Sequence, residues 1–271
     1  MKIYFKIGLF FLLLPIHSQD IGFSNVLKEV YPDKNEFNYP KNYKVNTARN
    51  SYSDVNIIIK TNVGDKIDFN AFSETLNNIQ FNNVKDVPIE ENTGLDSRTE
   101  QFKGLINPHV IRRAPFRVFE ILKPVHNNIT AETKYSLLNL KIYIPEKIDP
   151  GNHFVNLSFK IGSKTFDLKL KVNVYDYVIP KLSESNFFYT NWFNLGKMEE
   201  YHGVERWTDE WYIMLDKYAK IMAEGRQNCI IIPGELIYLN DGEFQLDEQK
   251  MISFINIFRK YGFKYFESPH L

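Results

Sequence analysis

The sequence predicts a multidomain protein: an immunoglobulin-like antiparallel β-sandwich, followed by the beginning of an α/β barrel that stops too early to close. Three observations predict this fold class. Between residues 20 and 180, apolar and polar residues alternate with a period of two, which is typical of half-buried strands. After Pro180 the pattern changes to strand, helix, strand, helix, strand. A length of 271 residues also suggests two domains rather than one.

The strands of the first part are clearest towards its end. Apolar residues occupy every second position in segments 140–144, 154–160 and 166–174. Two turn sequences, Asp149-Pro150-Gly151-Asn152 and Gly162-Ser163, separate these segments. Strands joined by such short turns are antiparallel, so the sequence predicts a β-sandwich domain over residues 20–180.

Two earlier strands are predicted from less regular patterns. Residues 55–59 form a strand candidate that is too apolar to show clean alternation. Residues 115–122 form another, with Phe116, Val118 and Ile121 as the expected core residues.

The second part, residues 186–271, follows a short polar linker at residues 181–185. Three strands are predicted, at residues 187–193, 228–232 and 263–266. The first is rich in aromatic residues, and the second is apolar after Asn228, as in a parallel sheet.

Two amphipathic helices separate these strands. Thr208 is the predicted N-cap of the first helix, with Asp209 and Glu210 in its positive first turn. Asp247-Glu248 precedes the second helix in the same way. A loop containing Gly196 and Gly203 and a β-hairpin within residues 236–246 complete the predicted elements.

The first 19 residues have the pattern of a bacterial signal peptide. Lys2 and Lys6 precede a short apolar run, residues 7–14, which is too short to span a bilayer. Cleavage is expected between Ser18 and Asp20, which predicts a periplasmic or extracellular protein without a membrane span. The formal net charge of zero gives no basic surface that would indicate nucleic-acid binding. The single cysteine, Cys229, is expected to be buried in a strand.

Several sequence segments of both parts resemble one known family. The segments in the second part are Asn191-Trp192-Phe193, Tyr201-His202-Gly203-Val204-Glu205-Arg206-Trp207, Arg226-Gln227-Asn228 and Tyr265-Phe266-Glu267-Ser268-Pro269-His270-Leu271. In the first part they are Pro150-Gly151-Asn152-His153-Phe154 and Tyr175-Asp176-Tyr177-Val178-Ile179-Pro180. This order resembles the N-terminal domain and barrel start of proteins with domain of unknown function 4091, which is related to glycoside hydrolase family 123, the β-N-acetylgalactosaminidases.

The resemblance implies a (β/α)8 TIM barrel that hydrolyses a glycosidic bond. In family 123 an adjacent Asp-Glu pair on a later barrel strand does the chemistry: Glu is the general acid, and Asp positions the acetamido group of the substrate for attack. A whole barrel needs about 250 residues, so the region 186–271 is expected to hold only its first three strands. The pairs Asp209-Glu210 and Asp247-Glu248 both open helices. The resemblance therefore assigns no catalytic residue here and predicts a portion that is inactive alone.

Five residues are candidates for sugar contacts, because barrel chemistry lies at the carboxyl ends of strands. Asn191 and Trp192 follow the first predicted strand, Glu235 follows the second, and Glu267 and His270 follow the third. Trp192 is expected either to stack on a sugar ring or to pack in the core. Glu267 and His270 are expected either to bind a hydroxyl group or to be solvated near the chain end.

Two alternatives for the function remain open from the sequence. The first is a non-catalytic carbohydrate-binding or surface-interaction protein built on the β-sandwich. The second is a split enzyme whose missing strands come from a separate chain. A glycan is the expected partner in each carbohydrate hypothesis. No cofactor is expected, and no metal site, because the six histidines include no His-Glu-x-x-His run.

Overall fold

The structure, a computed structural model, describes residues 21–34, 38–91 and 110–268. The predicted signal peptide, residues 1–19, and the candidate site residue His270 lie outside the described residues. The chain divides into two compact units, Met1–Val178 and Ile179–Leu271, called the first and second units below. None of the helices in the described ranges combines the length and the apolar character needed to cross a bilayer.

The first unit contains two five-stranded sheets among its described residues. Its strands are β1 (Ile21–Ser24), β2 (Asn42–Arg49), β3 (Ser51–Lys60), β4 (Lys66–Phe72), β5 (Ile79–Ile89), β6 (Phe116–Val125), β7 (Asn128–Thr130), β8 (Tyr135–Ile144), β9 (Gly151–Ile161) and β10 (Lys164–Val178). The first sheet has the order β1-β3-β8-β5-β6, and the second sheet has the order β2-β10-β9-β4-β7.

The predicted antiparallel immunoglobulin-like sandwich is wrong in its strand pairing, because the second sheet is mixed. Strands β2 and β10 pair in parallel, from Asn42 opposite Lys169 to Thr47 opposite Val174. A parallel pair cannot be closed by a hairpin, and these two strands are separated by most of the first unit. Local alternation therefore contains no signal for this pairing.

The first sheet is buried on both of its faces at β3. Ile57 and Ile59 belong to a hydrophobic cluster that combines buried side chains of both sheets. Ile58 faces the other way and packs in a separate cluster with Val30 and Leu137. Because both faces are covered at this strand, the run of three isoleucines at residues 57–59 is buried without alternating with polar residues.

The second unit is built around a smaller core. Its elements are α1 (Leu195–His202), α2 (Asp209–Glu224), β11 (Cys229–Ile231), β12 (Ile237–Asn240), β13 (Glu243–Leu246), α3 (Glu248–Lys260) and β14 (Tyr265–Glu267). Strands β11 and β14 pair in parallel, and β12 and β13 form the predicted antiparallel hairpin. Trp211 and Leu215 of α2, Phe254 and Phe258 of α3, and Met198 of α1 are buried together.

The predicted start of a (β/α)8 TIM barrel is wrong. The described part of the second unit holds a two-stranded parallel sheet instead of three barrel strands, and residues 187–193 are not a strand. The side chain of Asn228 accounts for this difference. Its Oδ1 accepts a hydrogen bond from the Tyr189 amide at 2.9 Å, and its Nδ2 donates to the Phe187 carbonyl at 2.7 Å. These side-chain bonds occupy backbone groups that a strand ladder would use.

Both predicted helix starts are confirmed. The Thr208 Oγ1 accepts from the Trp211 amide at 3.3 Å at the start of α2. The Asp247 Oδ1 accepts from the Lys250 amide at 3.1 Å at the start of α3. The Asp-Glu pairs at 209–210 and 247–248 therefore belong to helix starts, where acidic groups complement the positive end of the helix dipole.

Acid is expected to weaken the second unit partly through Asp216, which connects α2 to α3. Its carboxylate accepts from Lys260 Nζ at 2.8 Å and from the Tyr261 hydroxyl at 2.7 Å, and the Lys260 bond lowers the pKa of Asp216. A depressed folded pKa gives stabilisation that is complete above the ordinary pKa and is lost as the pH falls through the folded pKa. Asp216→Asn should therefore flatten the decline of the urea midpoint below about pH 4. An unchanged decline in this variant would exclude the contribution of Asp216.

Candidate functional site

The carboxyl ends of β11 and β14 lie side by side and define the candidate site. Ile231 is opposite Glu267 in the register, and the Ile232 amide donates to the Glu267 carbonyl at 2.9 Å. The chain then passes through the buried Pro233 into a short 3₁₀ turn, Gly234–Leu236, which contains Glu235. Of the predicted acidic residues, Glu267 thus ends β14 and Glu235 follows the parallel neighbour β11 at the same edge.

Glu235 belongs to an ionic cluster that extends back to α1. Arg206 donates through Nη1 to Glu235 and through Nε to Glu199 Oε1, the latter at 2.5 Å. Its Nη2 reaches Glu199 Oε2 at 3.2 Å, so the guanidinium holds Glu199 with two parallel bonds. The Trp211 indole N–H also donates to Glu199 Oε1, at 2.8 Å. These four residues are called the Arg206 cluster below.

The Arg206 cluster is partly shielded from solvent. The exposed fractions of the side chains are 20% for Glu199, 30% for Arg206 and 44% for Glu235. The hydrogen bond to Glu199 is the largest influence that raises the pKa of Arg206, so the cation is fixed between two carboxylates. Glu235 is the most exposed member, and its carboxylate is therefore the one best placed to contact a ligand.

A side chain next to β11 holds the backbone of the segment with Asn191 and Trp192. Gln227 is buried, and its Nε2 donates to the carbonyl groups of Cys229 at 2.9 Å and Asn191 at 3.2 Å. The Asn191 amide group donates to the Tyr189 hydroxyl at 2.7 Å. Trp192 has an exposed fraction of 82%, so the expectation that it packs in the core is wrong. Its ring is accessible for stacking.

The predicted burial of Cys229 is confirmed. The residue is fully buried in β11. Burial first, and then the charge of Glu267, raise the pKa of the Cys229 thiol. A protonated, inaccessible thiol is a poor nucleophile and a poor metal ligand. In the described ranges of the chain, no group of three or more His, Cys, Asp or Glu side chains is arranged to hold a metal ion.

The sequence did not predict the roles of Glu199 and Arg206. Glu199 lies on α1, in a region predicted as a loop. Two signals for α1 were present: Asn194 Oδ1 caps the helix by accepting from the Lys197 amide at 2.9 Å, and Gly203 ends it with φ of 62°. Asn before a helix and Gly after it would have placed Glu199 on a helix, although not beside Arg206.

Comparisons with known proteins show a likeness of fold. No protein-family model and no curated protein matches the sequence. A family 123 glycoside hydrolase from Clostridium perfringens, studied for glycolipid glycan hydrolysis, matches with 14% identity and a TM-score of 0.68 over 91% of this chain and 46% of that chain. The chain thus spans about half the length of that enzyme.

Two further solved structures match at TM-scores too low to carry an argument. The PapD-like domain 7 of human CEP192 is 10% identical with a TM-score of 0.24, covering 62% of this chain and 96% of that chain. A DUF4466 family protein from Parabacteroides merdae is 10% identical with a TM-score of 0.30, covering 58% of this chain and 46% of that chain. The likeness of fold rests on the first of these matches: the structure of the chain resembles that of a family 123 glycoside hydrolase.

Proposed function

We propose that the chain is a portion of a secreted glycoside hydrolase of the family 123 type, and that its second unit contacts the glycan. The observation that carries this proposal is the likeness of fold to the Clostridium perfringens enzyme over 91% of the chain. Because the sequence resembles that of family 123, the β-N-acetylgalactosaminidases, a terminal β-linked N-acetylgalactosamine is the first substrate class to test.

The candidate residues offer complementary contacts for a sugar. A sugar ring has an apolar C–H face and a rim of hydroxyl groups, and the exposed Trp192 ring suits the apolar face. The carboxylates of Glu235 and Glu267 accept hydrogen bonds from hydroxyl groups, whereas the Asn191 side-chain amide can both donate and accept. Arg206 fixes the position of Glu235. Because the Glu235 side chain is already held, it loses less conformational entropy when a sugar binds.

The proposal includes no catalytic acid from this chain. Substrate-assisted hydrolysis needs an acid at the leaving oxygen and a carboxylate that positions the acetamido group. The two Asp-Glu pairs of the sequence both lie at helix starts, at 209–210 and 247–248. We therefore propose that the acid pair is supplied from outside these 271 residues, in a longer form of the protein or by a separate chain.

Calorimetric titration of the chain with methyl N-acetyl-β-D-galactosaminide tests the role of Trp192. We expect saturable binding that Trp192→Ala weakens on the order of tenfold, because a stacked aromatic ring is lost. Tyr201→Ala is the matched control, since Tyr201 is an equally exposed aromatic residue on α1 and should leave the affinity unchanged. Equal affinity of the Trp192 variant and the unmodified chain would contradict the proposed site.

The same protein should not hydrolyse 4-nitrophenyl N-acetyl-β-D-galactosaminide above the buffer rate. Turnover that disappears in Glu235→Gln would show that the chain contains its own catalytic acid. This result would overturn the proposal that the chain is inactive alone, but it would support the proposed glycan contact at Glu235.

A further inference from the structure

A groove of about 500 Å³ lies on the first sheet, on the face that points away from the hydrophobic cluster shared by the two sheets. Strands β3 and β8 form its floor, and β6 together with residues 26–30 forms its walls. This volume is within the range of roughly 300–1,000 Å³ that is usual for small-ligand sites. The groove belongs to the first unit and shares no residue with the candidate site described above.

A row of asparagine side chains runs through the floor of the groove, where Asn56 and Asn139 line it, and continues to Asn82 on β5. Asn56, Asn139 and Asn82 are directly opposite one another on three neighbouring strands. The Asn82 Nδ2 donates to Asn139 Oδ1 at 3.1 Å, and the Asn139 Nδ2 donates to Asn56 Oδ1 at 3.3 Å. All three residues are buried. Such a chain of amides holds each polar group in a fixed orientation.

The next row along the same face contains a pair of opposite charges. Asp54 on β3 is directly opposite Lys141 on β8, and both line the groove. Surrounding protein atoms raise the pKa of Asp54 by desolvation, and the charge of Lys141 acts against that shift. The Lys141 ammonium group also lies 4.3 Å from the centre of the Tyr52 ring. The groove contains charges of both signs, because it is also lined by Lys28, Glu29 and Glu120.

The row on the other side of the asparagines is apolar. Leu137 and Val84 are buried there, and Leu122 of β6 continues the row with an exposed fraction of 54%. Phe119 lines the same wall. The groove therefore changes from apolar side chains, through amides, to a neutral charge pair within three rows of the sheet.

We propose that this groove binds a neutral pyranose ring of a glycan, as a second carbohydrate site separate from the one in the second unit. Hydroxyl groups both donate and accept, so they suit Asp54, Lys141 and the amides together. The C–H face of the ring suits the apolar wall with Leu122. An acyl chain would desolvate Asp54 and Lys141 without replacing their hydrogen bonds. A charged sugar would meet one group of its own sign.

The test uses the full 271-residue chain, labelled with ²H and ¹⁵N, and the side-chain amide signals of Asn56 and Asn139. The probes are lactose, cellobiose and chitobiose as neutral sugars, with glucuronic acid and glucosamine as charged ones. We expect a saturable shift of both amide signals with at least one neutral sugar. Asp54→Asn should weaken this binding on the order of tenfold, because a charged acceptor is lost.

Leu122→Ser serves as a second variant on an exposed position, so that loss of binding does not depend on one fold-sensitive substitution. Asn70→Ala, on the solvent-facing side of the second sheet, is the matched control and should leave the titration unchanged. Trp192→Ala should also leave it unchanged, which separates this site from the proposed glycan contact of the second unit. The proposal is overturned if no neutral sugar shifts the amide signals up to its solubility limit. It is equally overturned if the shifts persist in both groove variants, or if a charged sugar binds more tightly.

Discussion

Asn228→Ala is expected to lower the free energy of unfolding of the second unit by about 3 kcal/mol. Asn228 is fully buried, and its side chain is the hydrogen-bond partner of the Tyr189 amide and the Phe187 carbonyl. Alanine would leave both partly buried groups without these bonds, at a cost of about 1–2 kcal/mol for each, and would add a small cavity at the buried position. The same change should release the segment that leads to Asn191 and Trp192.

Urea titration followed by tryptophan emission measures this loss selectively. All three tryptophans, at positions 192, 207 and 211, lie in the second unit, so the signal does not report on the first unit. Limited proteolysis gives a second readout, with faster cleavage expected within residues 186–193. The matched control is Asn240→Ala, at an exposed hairpin position, which should change the unfolding free energy by less than about 0.5 kcal/mol.

A loss below about 1 kcal/mol with unchanged cleavage would contradict the role assigned to Asn228. In that case the Tyr189 carbonyl, which accepts from the amides of Asn228 and Cys229 at 3.1 Å, would be sufficient to hold the segment.

Helices α2 and α3 could be predicted because their signals are local. Thr208 and Asp247 make their capping bonds to residues three positions along the chain, and an amphipathic repeat follows each of them. Helix α1 has a cap of the same kind at Asn194, but it is only 8 residues long. A helix of two turns contains too few apolar positions to establish a period.

The strand pattern was less reliable, because exposure and pairing depend on distant segments. The aromatic run at residues 187–193 has strand propensity, yet the side chain of Asn228 binds its backbone. Ile121 was predicted to be buried, but more than half of its side chain is exposed on β6, an edge strand of the first sheet. β-Propensity depends on how a strand packs against its neighbours in the folded protein, and a local sequence pattern does not contain this information.

The candidate site was only partly predictable for the same reason. Glu235 was found by its place after a buried apolar strand, which is local information. Its partner Arg206 is 29 positions away, and the second partner of Arg206, Glu199, is 7 positions from it in the other direction. Only the packing of α1, α2 and β11 around one core brings these charges together.

Arg206→Met is expected to lower the free energy of unfolding of the second unit by about 2 kcal/mol. Removing one member of a buried ion pair costs about 3–5 kcal/mol, and the partial exposure of the Arg206 cluster reduces this figure. Methionine keeps an apolar stem of similar length, so the loss reports mainly on the missing guanidinium. Glu199 would retain only the Trp211 indole among its described donors.

The control for this substitution is Lys197→Met on α1. Lys197 and Glu200 form an ion pair of 2.6 Å with exposed side-chain fractions of 73% and 70%. Water and salt screen such a pair, so its loss should cost less than about 0.5 kcal/mol. Equal losses in the two variants, measured by tryptophan emission in urea, would show that the Arg206 cluster is no stronger than a surface pair.

Arg206→Lys separates the charge of the cluster from its geometry. Lysine keeps one positive charge, but an ammonium group cannot form two parallel bonds to Glu199 while it also reaches Glu235. If the fork geometry matters, the lysine variant should lose more than half of the stability that methionine loses, and it should bind the galactosaminide more weakly than the unmodified chain. If lysine restores both quantities, the cluster acts through charge alone. One positive charge at position 206 would then be sufficient to hold Glu235 in place.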